Sequence, residues 1–471
     1  MCMKNRNNCN MMWIFLLMFS ILDSYCALSY EMIGYFWHVT DFHFDPHFAQ
    51  HGDVRKGCWK PNGSREPHSR SVGKYGDYSC DAPWDLIESA TRAMASRQGD
   101  NVEFVLWTGD SLSLKRQIPE TKQLHLLHNL TDLMLQTFNS QFVFPALGHD
   151  DPSSREELGK MWSRWLPPDT IETLETGGYY MIEKTDFKRH IIVLNTNLMV
   201  KDEDDVEAIK QWDWLKDKLQ KVYERKETVY IVGHMPPGLD ERQRGASHHE
   251  HLAFTDHNNR KYLKLIRKYS SIIQAQFFGH LHSDSFRVIY NEKGHPVSWI
   301  MLSPAVTPRR TTDGANNPGL RLYKFKKDTG QILDYTQYYL DLSQANEDQK
   351  IEPEWLIEYN FSSYYGISNI TPLSLHTLAE RLTSQSGIYD STFKNYYRAN
   401  SVKMHKDHHN CDANCAHIHF CTITRVDYEE HENCMKLAPS ALASASGSQQ
   451  NVPKMLLIDL FMFFVALIIF V

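Results

Sequence analysis

Five short strings carry side chains able to do chemistry: Asp41-Phe42-His43, Gly109-Asp110, Gly148-His149-Asp150-Asp151, Gly233-His234 and Gly279-His280-Leu281-His282. Carboxylate oxygen and imidazole nitrogen together suit Zn, Mn or Fe, and a carboxylate has two oxygens with which to bridge a pair of ions. Two ions about 3.5–4 Å apart make a hydroxide available at neutral pH and clamp the oxygens of a phosphoryl centre during in-line displacement. The chemistry predicted is therefore hydrolysis of a phosphoester. Singly, each string is a weak signal, because Asp-X-His and Gly-His arise often in a chain with 24 histidines. Their joint occurrence, each behind an apolar run, is the signal.

A centre assembled from such distant strings needs elements that bring them to one edge. Runs rich in β-branched and aromatic residues predict strands over 34–40, 102–108, 141–147, 190–195, 228–232 and 272–278. Helical patterns cover 83–97, 120–138, 206–225 and 259–269. The alternation predicts an α/β fold with helices covering sheet faces. Ligands in such sheets sit beyond the carboxyl ends of the strands, and the five strings follow five of the six predicted strands. From Asp341 onward the texture turns aromatic, helix-like and cysteine-bearing, which divides the chain into a main domain over 27–340 and a C-terminal subdomain over 341–440.

Composition bounds the rest. The chain has 471 residues, 42% hydrophobic and 23% charged, which excludes disordered and collagen-like classes. Its net charge of -7 comes from 57 acids against 50 bases, and the bases are scattered, so no nucleic-acid polymer is expected as a partner. A monomer is expected. Lys4 and Arg6 precede an apolar run and small residues near Cys26, which reads as a signal peptide over 1–26. At the other end, a small and polar spacer leads to an apolar tail over 455–471, the order of a glycolipid (GPI) anchor signal; the rival is a membrane-spanning tail. Both ends point to a secreted or surface-anchored extracellular protein.

Six cysteines lie beyond the signal, one pair near the start and four near the end, and local bridges Cys58–Cys80, Cys411–Cys415 and Cys421–Cys434 are the simplest pairing of an exported chain. Sequons at Asn62, Asn129, Asn360 and Asn369 suit a glycosylated surface. The histidine-rich stretches 247–251 and 405–419 are read as a solvated loop and a disulfide-knit tail rather than as further metal sites.

The order of the five strings resembles that of the calcineurin-like metallophosphoesterases, which implies a four-layer α/β/β/α sandwich. Longer stretches narrow the resemblance: residues 36–41 (FWHVTD), 107–111 (WTGDS), 232–238 (VGHMPPG), 277–286 (FFGHLHSDSF) and 303–308 (SPAVTP) are similar to the acid sphingomyelinase-like phosphodiesterases, over about residues 34–434. The resemblance implies two Zn2+ ions, one held by Asp41, His43, Asp110 and His282, the other by Asp110, His234, His280 and a ligand from the third string. It also implies a phosphodiester or phosphoanhydride substrate, either a sphingomyelin-type lipid or a nucleotide.

The third string departs from the family, which writes Gly-Asn-His-Asp after Pro-Ala-Leu. Without a gap, His149 replaces the metal-binding Asn and Asp150 replaces the proton-donating His; an Asp beside two dications is held ionised and is a poor proton donor. With a one-residue deletion, His149 keeps the acid role and the second ion lacks its Asn. His149 and Asp150 are thus the catalytic candidates, with His149 also a candidate ligand. Leu112-Ser113-Leu114 also lacks the His that relatives place near the substrate phosphate. These departures leave an alternative: a catalytically impaired, metal-binding surface glycoprotein.

Overall fold

The computed structural model describes residues 32–60, 72–98, 101–113, 115–184, 189–242, 253–310, 314–348, 351–383, 391–405 and 411–447. The signal peptide, the apolar tail, Asn62 and the stretch 247–251 lie outside the described residues.

The strands in chain order are β1 (Ile33–Val39), β2 (Phe48–Asp53), β3 (Val102–Trp107), β4 (Phe142–Pro145), β5 (Tyr180–Lys184), β6 (Arg189–Val193) and β7 (Thr228–Val232). They continue with β8 (Ile273–Phe278), β9 (Ser285–Tyr290), β10 (Pro296–Leu302), β11 (Gly319–Lys326), β12 (Ile332–Tyr339) and β13 (Leu356–Asn360). Twelve of them form two six-stranded sheets, ordered β13-β12-β11-β1-β3-β4 and β5-β6-β7-β8-β10-β9. β1, β3 and β4 run parallel, as do β6, β7 and β8, so their carboxyl ends emerge together on one edge of each sheet.

Successive side chains on a strand point to opposite faces, and here both faces are buried. Between the sheets, Phe36 stacks on Phe104 (4.7 Å) and Tyr323 (4.9 Å) and meets Phe277 of the second sheet edge-on at 5.4 Å. Tyr230 and Val232 join that core, while Val229 and Ile231 of the same strand enter the core on the other face. Helices α1 (Trp84–Gln98) and α2 (Glu120–Thr137) add Leu86, Ala90, Leu127 and Leu130 to the core of the first sheet. Helices α3 (Val206–Glu224) and α4 (Asp256–Lys268) place Trp212, Leu215, Leu219, Tyr262 and Ile266 against Ile192, Ile231 and Phe278. Their three- and four-residue spacing keeps these residues on one helical face. The result is a four-layer α/β/β/α sandwich.

All six sequence-predicted strands are present, as β1, β3, β4, β6, β7 and β8. The helix predicted from residue 259 starts earlier, because the Thr255 side chain accepts a hydrogen bond from Asn258 N and caps the preceding turn. The later antiparallel strands were not predicted. They carry buried polar residues that interrupt an apolar run, each paired with a distant partner: Arg287 donates to Glu241 (2.7 Å), and Arg321 lies 2.6 Å from Asp284 and donates to Gln337 (2.8 Å).

Beyond residue 340, β13 extends the first sheet. Helices α5 (Pro372–Thr383) and α7 (Ala413–Thr424) pack on β9, with α6 (Ser391–Asn400) between the two in sequence. Asn400 Nδ2 donates to the buried Glu241 carboxylate (2.8 Å), linking α6 to Arg287 of β9. Burial opposes ionisation of Glu241, yet the Arg287 guanidinium holds its carboxyl well below the usual range. Removing one partner of such a buried pair costs about 3–5 kcal/mol. Disulfides join Cys58 to Cys80, Cys411 to Cys415 and Cys421 to Cys434. Asn129, Asn360 and Asn369 are exposed. Among the described residues, no helix is long and apolar enough to cross a membrane.

Candidate metal centre

The strand exits converge where the two sheets meet. Asp41 and His43 follow β1, Asp110 follows β3 and His149 follows β4, while His234, His280 and His282 come from the second sheet after β7 and β8. Backbone bonds stitch the first two exits together, with Asp41 N donating to Gly109 O (3.0 Å) and His43 N to Asp110 O (2.9 Å). Asp41, His43, Asp110, His280 and His282 all have φ between 42° and 68°. A left-handed non-glycine residue costs on the order of 1–3 kcal/mol and persists only where its surroundings enforce it. Five of the nine such residues described are these ligand candidates, so backbone strain is concentrated at this edge. Gly148 permits the closest approach: a Cβ there would lie 2.1 Å from both Asp110 N and Asp110 Oδ1.

The donor atoms form two groups sharing one carboxylate. In the first, His43 Nε2 and His282 Nε2 are 3.1 Å apart, and Asp41 Oδ1 is 3.7 Å and 3.4 Å from them. In the second, Asp110 Oδ2 is 2.9 Å from His149 Nδ1 and 3.1 Å from His234 Nε2, and His149 Nδ1 and His280 Nδ1 each lie 3.3 Å from His234 Nε2. Asp110 Oδ2 also stands 3.5 Å from His43 Nε2, which ties the groups together. Donor atoms 2.9–3.7 Å apart are close enough to converge on a cation.

Hydrogen bonding shows which atoms await a partner. His234 Nδ1 lies 2.7 Å from Thr108 O and His282 Nδ1 lies 2.8 Å from Arg309 O. A carbonyl only accepts, so each Nδ1 carries a proton and each Nε2 is turned inward. Asp41 Oδ1 and Asp110 Oδ2, the oxygens facing these imidazoles, are buried without a hydrogen-bond partner. Imidazole nitrogens and carboxylate oxygens converging at about 3 Å are costly unless protons or a cation sit among them. The residues therefore fit metal binding.

Electrostatics agrees. Burial opposes charge throughout, but His282 holds Asp41, and His234 holds Asp110, well below the usual carboxylate range. Despite burial, the nearby Asp41 and Asp110 carboxylates push His43 up to about 10, and Asp110 pushes His234 up to about 9. Burial, reinforced by His234, pushes His280 well down. Without a cation, protons on His43 and His234 stabilise the carboxylates, so a metal must displace them.

The third string is held in place by Asp151, whose role sequence reasoning missed. Its buried carboxylate accepts from Gly148 N (2.8 Å), Asp110 N (3.1 Å) and Ser111 N (2.9 Å). With Asp151 in that cradle, His149 stands among the ligand atoms and Asp150 stands beside His149 and His43. Two consecutive acids were the available signal. The Asp150 carboxyl is raised above its ordinary value, by burial first and then by Asp110. Its Oδ2 lies 3.7 Å from His43 Nδ1 and its Oδ1 lies 3.7 Å from His149 Nε2.

Other supporting residues gave no sequence signal beyond adjacency. Thr40 Oγ1 (2.7 Å) and His280 N (2.9 Å) both donate to Asp41 Oδ2, which turns Oδ1 toward the imidazoles. Beyond Asp110, Ser113 donates to Asp81 (2.6 Å), with Lys115 at 3.4 Å and Arg309 at 3.6 Å from the same carboxylate. In the stretch 405–419, Cys411 and Cys415 are joined to each other, and His419 Nδ1 lies 3.2 Å from Tyr396 Oη.

The family model for the acid sphingomyelin phosphodiesterase C-terminal region matches residues 295–440. Human acid sphingomyelinase-like phosphodiesterase 3b is 33% identical over 426 residues, covering 85% of this chain and 90% of its own. Bovine cyclic GMP-AMP phosphodiesterase SMPDL3A is 34% identical over 424 residues, covering 86% and 91%. A solved structure of PhoD aligns with 65% of this chain and 66% of its own, at a TM-score of 0.41 and 9% identity.

Proposed function

Because the chain belongs to the acid sphingomyelinase-like phosphodiesterases, we propose that it is a secreted or surface-anchored, zinc-dependent phosphodiesterase. The observation that carries this is Asp110, whose Oδ2 lies within 3.5 Å of nitrogens of His43, His149 and His234 and so joins the two ligand groups. One ion would be held by Asp41, His43, Asp110 and His282, the other by Asp110, His149, His234 and His280. When bound, the pair supplies a nucleophile at neutral pH and offsets charge on the phosphoryl oxygens.

The protein's own groups then narrow the substrate. Lys115 and Arg309, partly exposed around Asp81, offer positive charge to a phosphate. Asp150 stands where relatives carry the proton donor, and beside two dications it stays ionised. Lacking that general acid costs about 10²–10⁴-fold where the leaving group must be protonated. A phosphoanhydride or nucleotide-type substrate, whose leaving group departs as a stable anion, is therefore favoured over a lipid alcohol. The three disulfides support an oxidising, extracellular setting.

The same Asp150 favours a second reading, a metal-binding surface glycoprotein without turnover. Purified protein loaded with zinc is expected to bind about two ions per chain and to release product from bis-p-nitrophenyl phosphate and ATP faster than from sphingomyelin. His282→Ala is expected to abolish release. Turnover no higher than that of His282→Ala decides for the glycoprotein. Release from cells by a phosphatidylinositol-specific phospholipase tests the lipid anchor, and resistance refutes it.

A further inference from the structure

The exchange of Asn-His for His149-Asp150 changes two adjacent positions of the centre, and the geometry gives the pair a joint role. Metal-binding imidazoles need their outer nitrogen hydrogen-bonded, which fixes the tautomer, aims the ring and raises its basicity. For His234 and His282 that partner is a backbone carbonyl. The outer nitrogens of His43 and His149 face Asp150 instead, with one carboxylate oxygen opposite each ring at 3.7 Å, an ion-pair distance longer than a hydrogen bond. The nitrogens it faces, His43 Nδ1 and His149 Nε2, are the ones turned away from the clusters, since His43 Nε2 meets His282 and His149 Nδ1 meets His234.

We propose that Asp150 is a positioning residue shared by both metal subsites: one carboxylate orients His43 in the Nδ1–H form and His149 in the Nε2–H form. This rests on the two-metal reading above. It also gives the exchange a logic, because replacing the Asn ligand by an imidazole creates an outer nitrogen that Asn lacks, and the neighbouring Asp is there to receive its proton. The carboxylate at the former acid position thus serves the ligands rather than the leaving group.

The test compares zinc affinity, by chelator competition, for the wild-type chain, Asp150→Ala and Asp150→Asn. Asp150→Ala is expected to weaken both ions by about 10- to 100-fold. Asp150→Asn keeps the shape and one accepting oxygen, so it is expected to weaken one ion over the same range of about 10- to 100-fold and spare the other. If both variants bind both ions as tightly as wild type does, the inference is wrong. It is equally wrong if only turnover of substrates with strongly basic leaving groups falls, as a general acid would predict, or if Asp150→Ala loses one ion outright and keeps the other unchanged, as for a direct ligand. A wild-type chain that binds no zinc sinks the two-metal reading and this inference with it; tight binding by wild type and Asp150→Ala alike sinks the inference alone.

Discussion

His234 and His282 are aimed by the carbonyls of Thr108 and Arg309, whereas His43 and His149 face the two oxygens of a single side chain. A carbonyl at a strand exit belongs to the fold and stays in place whatever side chain its residue carries. A carboxylate can be exchanged by one substitution. The backbone-held imidazoles are therefore insulated from sequence change, and the pair faced by a side chain depends on one residue, Asp150.

The largest effect should come from the group that serves both pairs. Asp110→Ala is expected to remove both ions and all metal-dependent turnover, a loss beyond the ~100-fold typical of an outer partner; metal analysis after gel filtration reads it, and retention of one ion would separate the two halves. Next comes pH. His43 at about 10 and His234 at about 9 are raised above the ordinary 6.5, so their stabilisation of the metal-free protein is full below about pH 6.5 and is lost as pH rises through about 9–10. Zinc affinity should accordingly rise by about tenfold per pH unit for each proton displaced. Chelator competition across pH 6–9 measures it, and a flat profile would show that neither imidazole holds its proton.

Gly148→Ala tests the backbone itself. The added Cβ would press on Asp110 N and Oδ1, and a displacement of about 1 Å costs about 100-fold in kcat. The smallest effect sharpens the contrast with Asp150: Arg309→Ala keeps the carbonyl that receives the His282 proton, so zinc affinity should stay within about twofold, against the ~10- to 100-fold cost of losing an outer side-chain partner. Substrate KM, read in the same preparation, should rise as the guanidinium near Asp81 is lost.

Much of the fold was readable from local pattern. The parallel strands β1, β3, β4, β6, β7 and β8 are buried on both faces and read as apolar runs, and each of the five strings follows one of them. The antiparallel strands were hidden because Arg287, Arg321 and Gln337 are buried in them, and their partners Glu241, Asp284 and Leu320 O come from elsewhere in the chain. Asp41, His43, Asp110, His149, His234, His280 and His282 were nameable from residue type and position after a strand. The path of the third string was not, because the Asp151 carboxylate that fixes it bonds to amides of residues 110 and 111.

The sequence alone determined which donor atoms this protein possesses and that they lie at strand exits, since residue type sets chemistry and apolar periodicity sets strands. Only the tertiary structure decided which nitrogen of each ring turns inward and which carboxylate oxygen is left without a partner. Those orientations depend on bonds such as His234 to Thr108 and His280 to Asp41, between residues 126 and 239 positions apart, and no local pattern encodes them.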